Sequence, residues 1–195
     1  MSGAVSKQNL ERVIVFIDGS NLYHGLKGAL GHARIDFGRF ADELCSPSRR
    51  LLHIYYYNVP LRQADDPIGY AGQQRFFSSL RKVPHLTIEL GRLVDRERNE
   101  KCPHCAKAYT VAYQAEKGVD VKLAVDMLAM AFDNQYDTAI LVSNDGDFAP
   151  AVAEVRRLHK AVQNADFVPR LPSHLSKSCN STILLDEKFL KPCAF

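Results

Sequence analysis

A chain of 195 residues, 46% hydrophobic and 24% charged, has the length of one domain and enough apolar content for a sizeable core. Its formal charge of +3 falls short of the excess of a strongly cationic nucleic-acid binder, so any polyanion-binding surface must come from local clustering. No apolar run is long enough to span a bilayer, the opening MSGAVSKQNLER is no basic-then-apolar leader, and five cysteines, an odd number, make no secretory disulfide framework. These features predict a soluble cytoplasmic protein without a membrane partner, its thiols reduced or metal-bound.

Residues 1–10 lack apolar periodicity and read as a loose tail, leaving 11–195 as a single domain. The run VIVFI at 13–17 suits a central parallel strand covered on both faces. Gly19 and Ser20 turn the chain, and Ser20 or Asn21 is placed to cap a helix starting near Leu22. A second helix is expected over 36–45, before the Ser-Pro break at 46–47, and LLHIYYYNV at 51–59 reads as the next strand. A helix near 69–81 and a strand over 86–94, bent at Gly91, follow. The charged stretch 95–118, carrying CPHC, departs from this rhythm as an excursion. Regularity returns with a helix over 119–132, the apolar strand TAILVS at 138–143 and a helix over 147–159. AVQNADF, SHLSKSC and STILLD read as a short strand, a short helix and a last edge strand. Strands alternating with helices imply an α/β fold with a mainly parallel sheet and right-handed crossovers.

Two of these strands end in acid: Asp18 closes VIVFID, and Asp145 and Asp147 sit in LVSNDGDF. Burying an unpaired charge is costly unless a cation or hydrogen bonds offset it. In an open α/β sheet the carboxyl ends of the strands form the ligand crevice, which brings Asp18, Asp145 and Asp147 together. Asp120 lies in the first turn of its helix on the side of Leu123, Ala124 and Met127, where it projects towards the sheet as a fourth acid. Four carboxylates suit magnesium or manganese. Competing structural roles exist for each: Asp18 and Asp147 as helix caps, Asp120 as a charge favoured by the helix dipole. On charge alone, Asp18→Asn should leave stability unchanged or raised by relieving repulsion.

The pieces FIDGSNLYHGL, EKGVDVKLAVDML and AILVSNDGDFAPAVAEVRRL, in this order, resemble the NYN domain, the LabA-like branch of the PIN-like nucleases, over most of residues 12–187. The resemblance implies a PIN-like three-layer fold, a mainly parallel central sheet flanked by helices. It also implies metal-dependent phosphodiester hydrolysis, usually of RNA, with Asp18, Asp120, Asp145 and Asp147 as the acids. It extends through VDM, which keeps Asp126 in the site although Asp126 stands about 240° around the helix from Asp120 and pairs more naturally with Lys122. Beside the acids, Asn21 is expected to orient Asp18 or touch a phosphate, and Ser143 and Asn144 to fix their loop or contact the scissile group. Lys117 and Lys122 flank Asp120 as substrate-holding charges, and Tyr23 with His24 is placed to stack on a nucleotide of RNA or another single strand.

Cys102 and Cys105 of CPHC are half of a tetrahedral zinc site. Completion by His85, Cys179 or Cys193, by a second copy in a homodimer, or a plain reduced pair are the alternatives. Arg92, Arg96, Arg98 and Lys101, interleaved with Asp95, Glu97 and Glu100, read as a solvated, partly self-neutralised surface. The alternative to a nuclease is a catalytically weak RNA-binding or regulatory module of the same fold.

Overall fold

The computed structural model describes residues 10–45, 48–167 and 173–194, so the expected tail and the Ser-Pro break at 46–47 lie outside the described residues except for Leu10. Six strands form one parallel sheet: β1 (Glu11–Asp18), β2 (Arg49–Asn58), β3 (Leu86–Leu90), β6 (Thr138–Val142), β7 (Ala161–Asp166) and β8 (Ser181–Leu184). Their order is β3-β2-β1-β6-β7-β8. Between β3 and β6 the chain makes an antiparallel hairpin of β4 (Arg92–Lys101) and β5 (Ala108–Lys117), separate from the sheet.

The helices are α1 (Gly19–Leu30), α2 (Phe37–Cys45), α3 (Pro67–Leu80), α4 (Val119–Phe132), α5 (Ala149–Arg157), α6 (His174–Ser178) and α7 (Glu187–Leu190). Alternation along β1 divides the core between the two sheet faces. Val13, Val15 and Ile17 pack with Leu22 and Leu26 of α1, Phe40 of α2 and Phe77 of α3, whereas Ile14 and Phe16 pack with Leu123 and Met127 of α4 and Val152 and Val155 of α5. Each fully buried side chain of this size stabilises the fold by roughly 1.5–3 kcal/mol. The result is the helix–sheet–helix arrangement expected of a PIN-like fold.

Several boundaries move for physical reasons. Asp18, not Ser20 or Asn21, caps the first helix: its backbone is extended and its side chain accepts from the Ser20 and Asn21 amides, so the helix starts at Gly19. Only glycine fits at 19, because a Cβ there would stand 2.5 Å from the Tyr56 hydroxyl. The stretch 86–94 is not one bent strand. At Gly91 the chain leaves the sheet, and a Cβ there would lie 2.4 Å from Val119 and 2.8 Å from the Lys117 carbonyl, where the two legs of the hairpin meet. The helix expected over 147–159 is preceded by a 3-10 turn (Gly146–Phe148) and ends at Arg157. The sequence reading missed α7 and the 3-10 turn Lys191–Cys193, which bury Leu190 and Cys193 and whose Cys193 carbonyl accepts from the Asp36 amide at 2.8 Å. Among the described residues no helix is long and apolar enough to cross a membrane.

Candidate functional site

Strands β1 and β6 are neighbours, with Ile17 opposite Val142, yet the chain continues from them to opposite halves of the sheet. That is a topological switch point, and the crevice beyond it opens between the two carboxyl ends. Asp18 follows Ile17 and Ser143 follows Val142, so both strand ends deliver polar groups there.

Asp18 is 4% exposed, and each of its oxygens meets two donors. Oδ1 accepts from the Ser20 and Asn21 amides, both at 3.1 Å, while Oδ2 accepts from the Asn21 side-chain amide and from Ser143 Oγ at 3.1 Å. These donors stand where a cation or water would otherwise have to compensate the buried charge. The same set ties the two loops together: Ser143 Oγ accepts from the Asp145 amide at 3.1 Å, and the Asn144 amide reaches Asn21 Oδ1 at 3.4 Å. Asn21 therefore orients Asp18, and Ser143 and Asn144 fix the β6 loop.

Asp145 is half-buried, and its Oδ1 accepts the Asp147 amide at 2.9 Å, capping the 3-10 turn. Asp120 sits in the first turn of α4. Lost hydration within the crevice, followed by the charges of Asp18, Asp145 and Asp147, holds its carboxyl above the ordinary carboxylate range. All four expected acids thus act on one electrostatic site, although Asp120 is solvent-accessible. Glu116, near the end of β5, joins them: desolvation, then Asp120 and Asp18, raise its pKa, and His24 opposes the rise. Sequence reasoning missed Glu116 because no motif marks it; it reaches the crevice only because the hairpin returns there. The donor set is all carboxylate oxygen and matches a hard divalent cation. Among the described residues, however, no three acidic, histidine or cysteine side chains already stand in ligand geometry.

Asp126 and Lys122 are held elsewhere. Lys122 Nζ lies 2.9 Å from Asp126 and 3.4 Å from Glu89, and the Tyr57 hydroxyl donates to Asp126 at 3.0 Å. This is the pairing expected from helix geometry, and the helix turns both residues towards β2 and β3 instead of the place beside Asp120 that the resemblance implied. Lys117 is exposed at the base of β5. Tyr23 is 44% exposed, set edge-on to His24, with Lys27 Nζ 4.7 Å from its ring centre. A cavity of about 230 Å³, lined by Asn21, His24, Asn144, Asp166 and Phe167 among others, flanks the crevice beyond α1.

The hairpin is exposed and in part self-neutralised, as expected, with Arg98 paired to Glu100 at 2.7 Å, but its ladder distributes the charges unevenly between two faces. Residues directly opposite in a ladder share a face. With Arg96 opposite Tyr113 and Glu100 opposite Tyr109, one face carries Arg92, Arg96, Arg98, Lys117, Tyr109 and Tyr113 together with Glu100, and the other Asp95, Glu97 and Glu116 together with Lys101. Arg98 lies 5.6 Å from the Tyr113 ring centre, so cation and aromatic already stack. The acidic face is anchored to the loop after β2, with Asp95 bound to Arg62 at 2.7 Å and Gln114 to Asp65 at 2.6 Å. Alternation at period two partly sorts charges that look mixed in linear sequence, leaving one face with a basic excess.

The NYN domain family model matches residues 12–186. The 6-hydroxy-3-succinoylpyridine 3-monooxygenase HspA of Pseudomonas putida (strain DSM 28022 / S16) is 26% identical over 201 aligned positions, covering 89% of this chain. The chain spans 64% of that relative's length. A crystal structure of a protein of unknown function from Vibrio parahaemolyticus RIMD 2210633 superimposes with a TM-score of 0.65 at 24% identity, covering 95% of this chain and 99% of that one, which shows a shared fold.

Proposed function

Because the chain belongs to the NYN domain family of the PIN-like nuclease superfamily, we propose that it is a divalent-cation-dependent nuclease hydrolysing phosphodiester bonds, with RNA as its substrate. The observation carrying this reading is that charges from separate elements, Asp18 at the end of β1 and Asp145 and Asp147 after β6, act together on Asp120 of α4.

Asp18, Asp120, Asp145 and Asp147 would hold magnesium or manganese, with Glu116 beside them. A bound ion of this kind supplies Lewis acidity, lowering the pKa of water and offsetting negative charge that builds on a phosphate. The Asn21 side-chain amide, the Ser143 hydroxyl and two backbone amides hold the Asp18 carboxylate in place at the crevice. Asp18 gains a cation only as one of those donors yields. Asn144, exposed at the crevice, is placed to donate to a phosphate oxygen. Lys117 and the arginines of the hairpin's basic face hold the polyanion, Tyr109 and Tyr113 offer stacking surfaces to unpaired bases, and Tyr23 does the same beside the acids.

Incubation of the purified protein with single-stranded RNA, single-stranded DNA and duplex DNA, in manganese or in EDTA, tests this. RNA cleavage in manganese and none in EDTA is expected; intact RNA in both refutes the nuclease, and retained RNA binding would then favour the regulatory module. The Pseudomonas relative gives a second reading, oxygenation of a hydroxypyridine, tested by consumption of dioxygen with an electron donor supplied.

A further inference from the structure

The tip of the hairpin carries a pair of thiols that the nuclease reading does not use. Residues 102–107 fold back on themselves: the Cys102 amide donates to the Lys107 carbonyl at 3.0 Å, and the Ala106 amide donates to the Cys102 carbonyl at 2.9 Å. Ala106 takes a left-handed φ of 57°, a conformation uncommon outside glycine, which closes the turn. This turn brings Cys102 and Cys105, three residues apart, onto one tight loop at the hairpin tip, Cys105 exposed and Cys102 half-buried. A pair of cysteines at this spacing on a tight turn is half of a chelate for a borderline-soft cation such as zinc.

Two thiolates leave a tetrahedral ion half coordinated. All the remaining cysteines and histidines are among the described residues, and none completes a group of three metal-ligating side chains with this pair. Cys179 and Cys193 are buried in the core, at 9% and 0% exposure. His85 precedes β3, at the end of that strand opposite the one from which the hairpin departs. His104 lies between the two cysteines in the turn. The expected completions from within the chain are therefore excluded.

We propose that this chain forms a zinc-bridged homodimer in which the Cys102 and Cys105 pairs of two copies, related by a twofold axis, close one tetrahedral site. A twofold contact supplies the same two ligands twice, which is what a four-coordinate ion needs. Charge agrees: four thiolates around one zinc carry a net charge of −2, and Lys101 and Lys107 of each copy flank the site, both exposed. Two hairpin tips bury far less than the roughly 1,200 Å² of a stable interface, so the ion must carry the association. Dimerisation should then depend on zinc and on both thiols.

Protein purified without chelator should contain about one zinc per two chains and sediment as a dimer. A stronger zinc chelator should give zinc-free monomer, and restored zinc should return the dimer. The double variant Cys102→Ser, Cys105→Ser should be monomeric and zinc-free with an unchanged far-ultraviolet circular dichroism spectrum. Zinc-free wild type with both thiols titratable, an intrachain Cys102–Cys105 disulfide, one zinc per monomer, or a dimer that survives chelator would each overturn the proposal.

Discussion

Asp18→Asn separates a carboxylate kept as a ligand from one that also holds the fold. On charge alone the substitution relieves repulsion, which across a hydrated crevice is at most about 1 kcal/mol per pair at 4 Å and less at larger separation. Against this stand four hydrogen bonds to a side chain that is 4% exposed. Asparagine retains one carbonyl oxygen, which still caps α1 through the Ser20 and Asn21 amides, and capping by Asn matches capping by Asp. Its amide nitrogen, however, faces the Asn21 side-chain amide, donor against donor, and Ser143 Oγ loses a charged acceptor. Hydrogen bonds to charged groups contribute about 1.5–3 kcal/mol and neutral ones about 0.5–1.5 kcal/mol, so the exchange costs about 2 kcal/mol net. For a chain of this length that lowers Tm by about 4–8 °C, contrary to the unchanged or raised stability expected from charge alone. Thermal unfolding in EDTA, followed by circular dichroism, reads this directly. A variant as stable as wild type, or more stable, would refute the assignment of Asp18 as the hub joining the two loops.

The opposite sign is expected at Asp120, whose raised pKa means that ionisation costs the folded state. This penalty is absent below the unfolded pKa of about 3.9 and grows as pH rises through the folded value, so Asp120→Asn should be more stable than wild type at pH 7, with the gap closing as pH falls towards 4 in unfolding melts. Asp126→Asn should retain manganese-dependent RNA cleavage within a few-fold, because Asp126 is tied to Lys122 and Tyr57, whereas Asp145→Asn should lose it in the same gel assay. The double variant Arg96→Ala, Arg98→Ala should weaken single-stranded RNA binding in EDTA and reduce the salt dependence by about one unit of slope per lost phosphate contact.

Much of this architecture is legible in sequence because its signals are local. The run at 13–17 and the strand at 138–142 are apolar on both faces, as central parallel strands must be, and α4 falls on its expected residues. Acids directly after such strands mark the crevice without any alignment. What was not legible depends on long-range geometry. Glu116 enters the site only because β5 returns to the sheet beside β3, and the basic face of the hairpin exists only once register and alternation are known. Asp18 shows a subtler limit: the same residue caps a helix and faces the crevice, so the two roles that sequence reasoning opposes are held together.

Manganese binding, measured by the electron paramagnetic resonance signal of the free ion during titration, tests the claim that the acidic crevice is a cation site most directly. Wild type should remove manganese from solution saturably, and Asp145→Asn and Asp120→Asn should each weaken that uptake by tenfold or more, about 1.4 kcal/mol or greater. Wild type that leaves the free-ion signal unchanged at millimolar manganese, or variants that bind as wild type does, would contradict it.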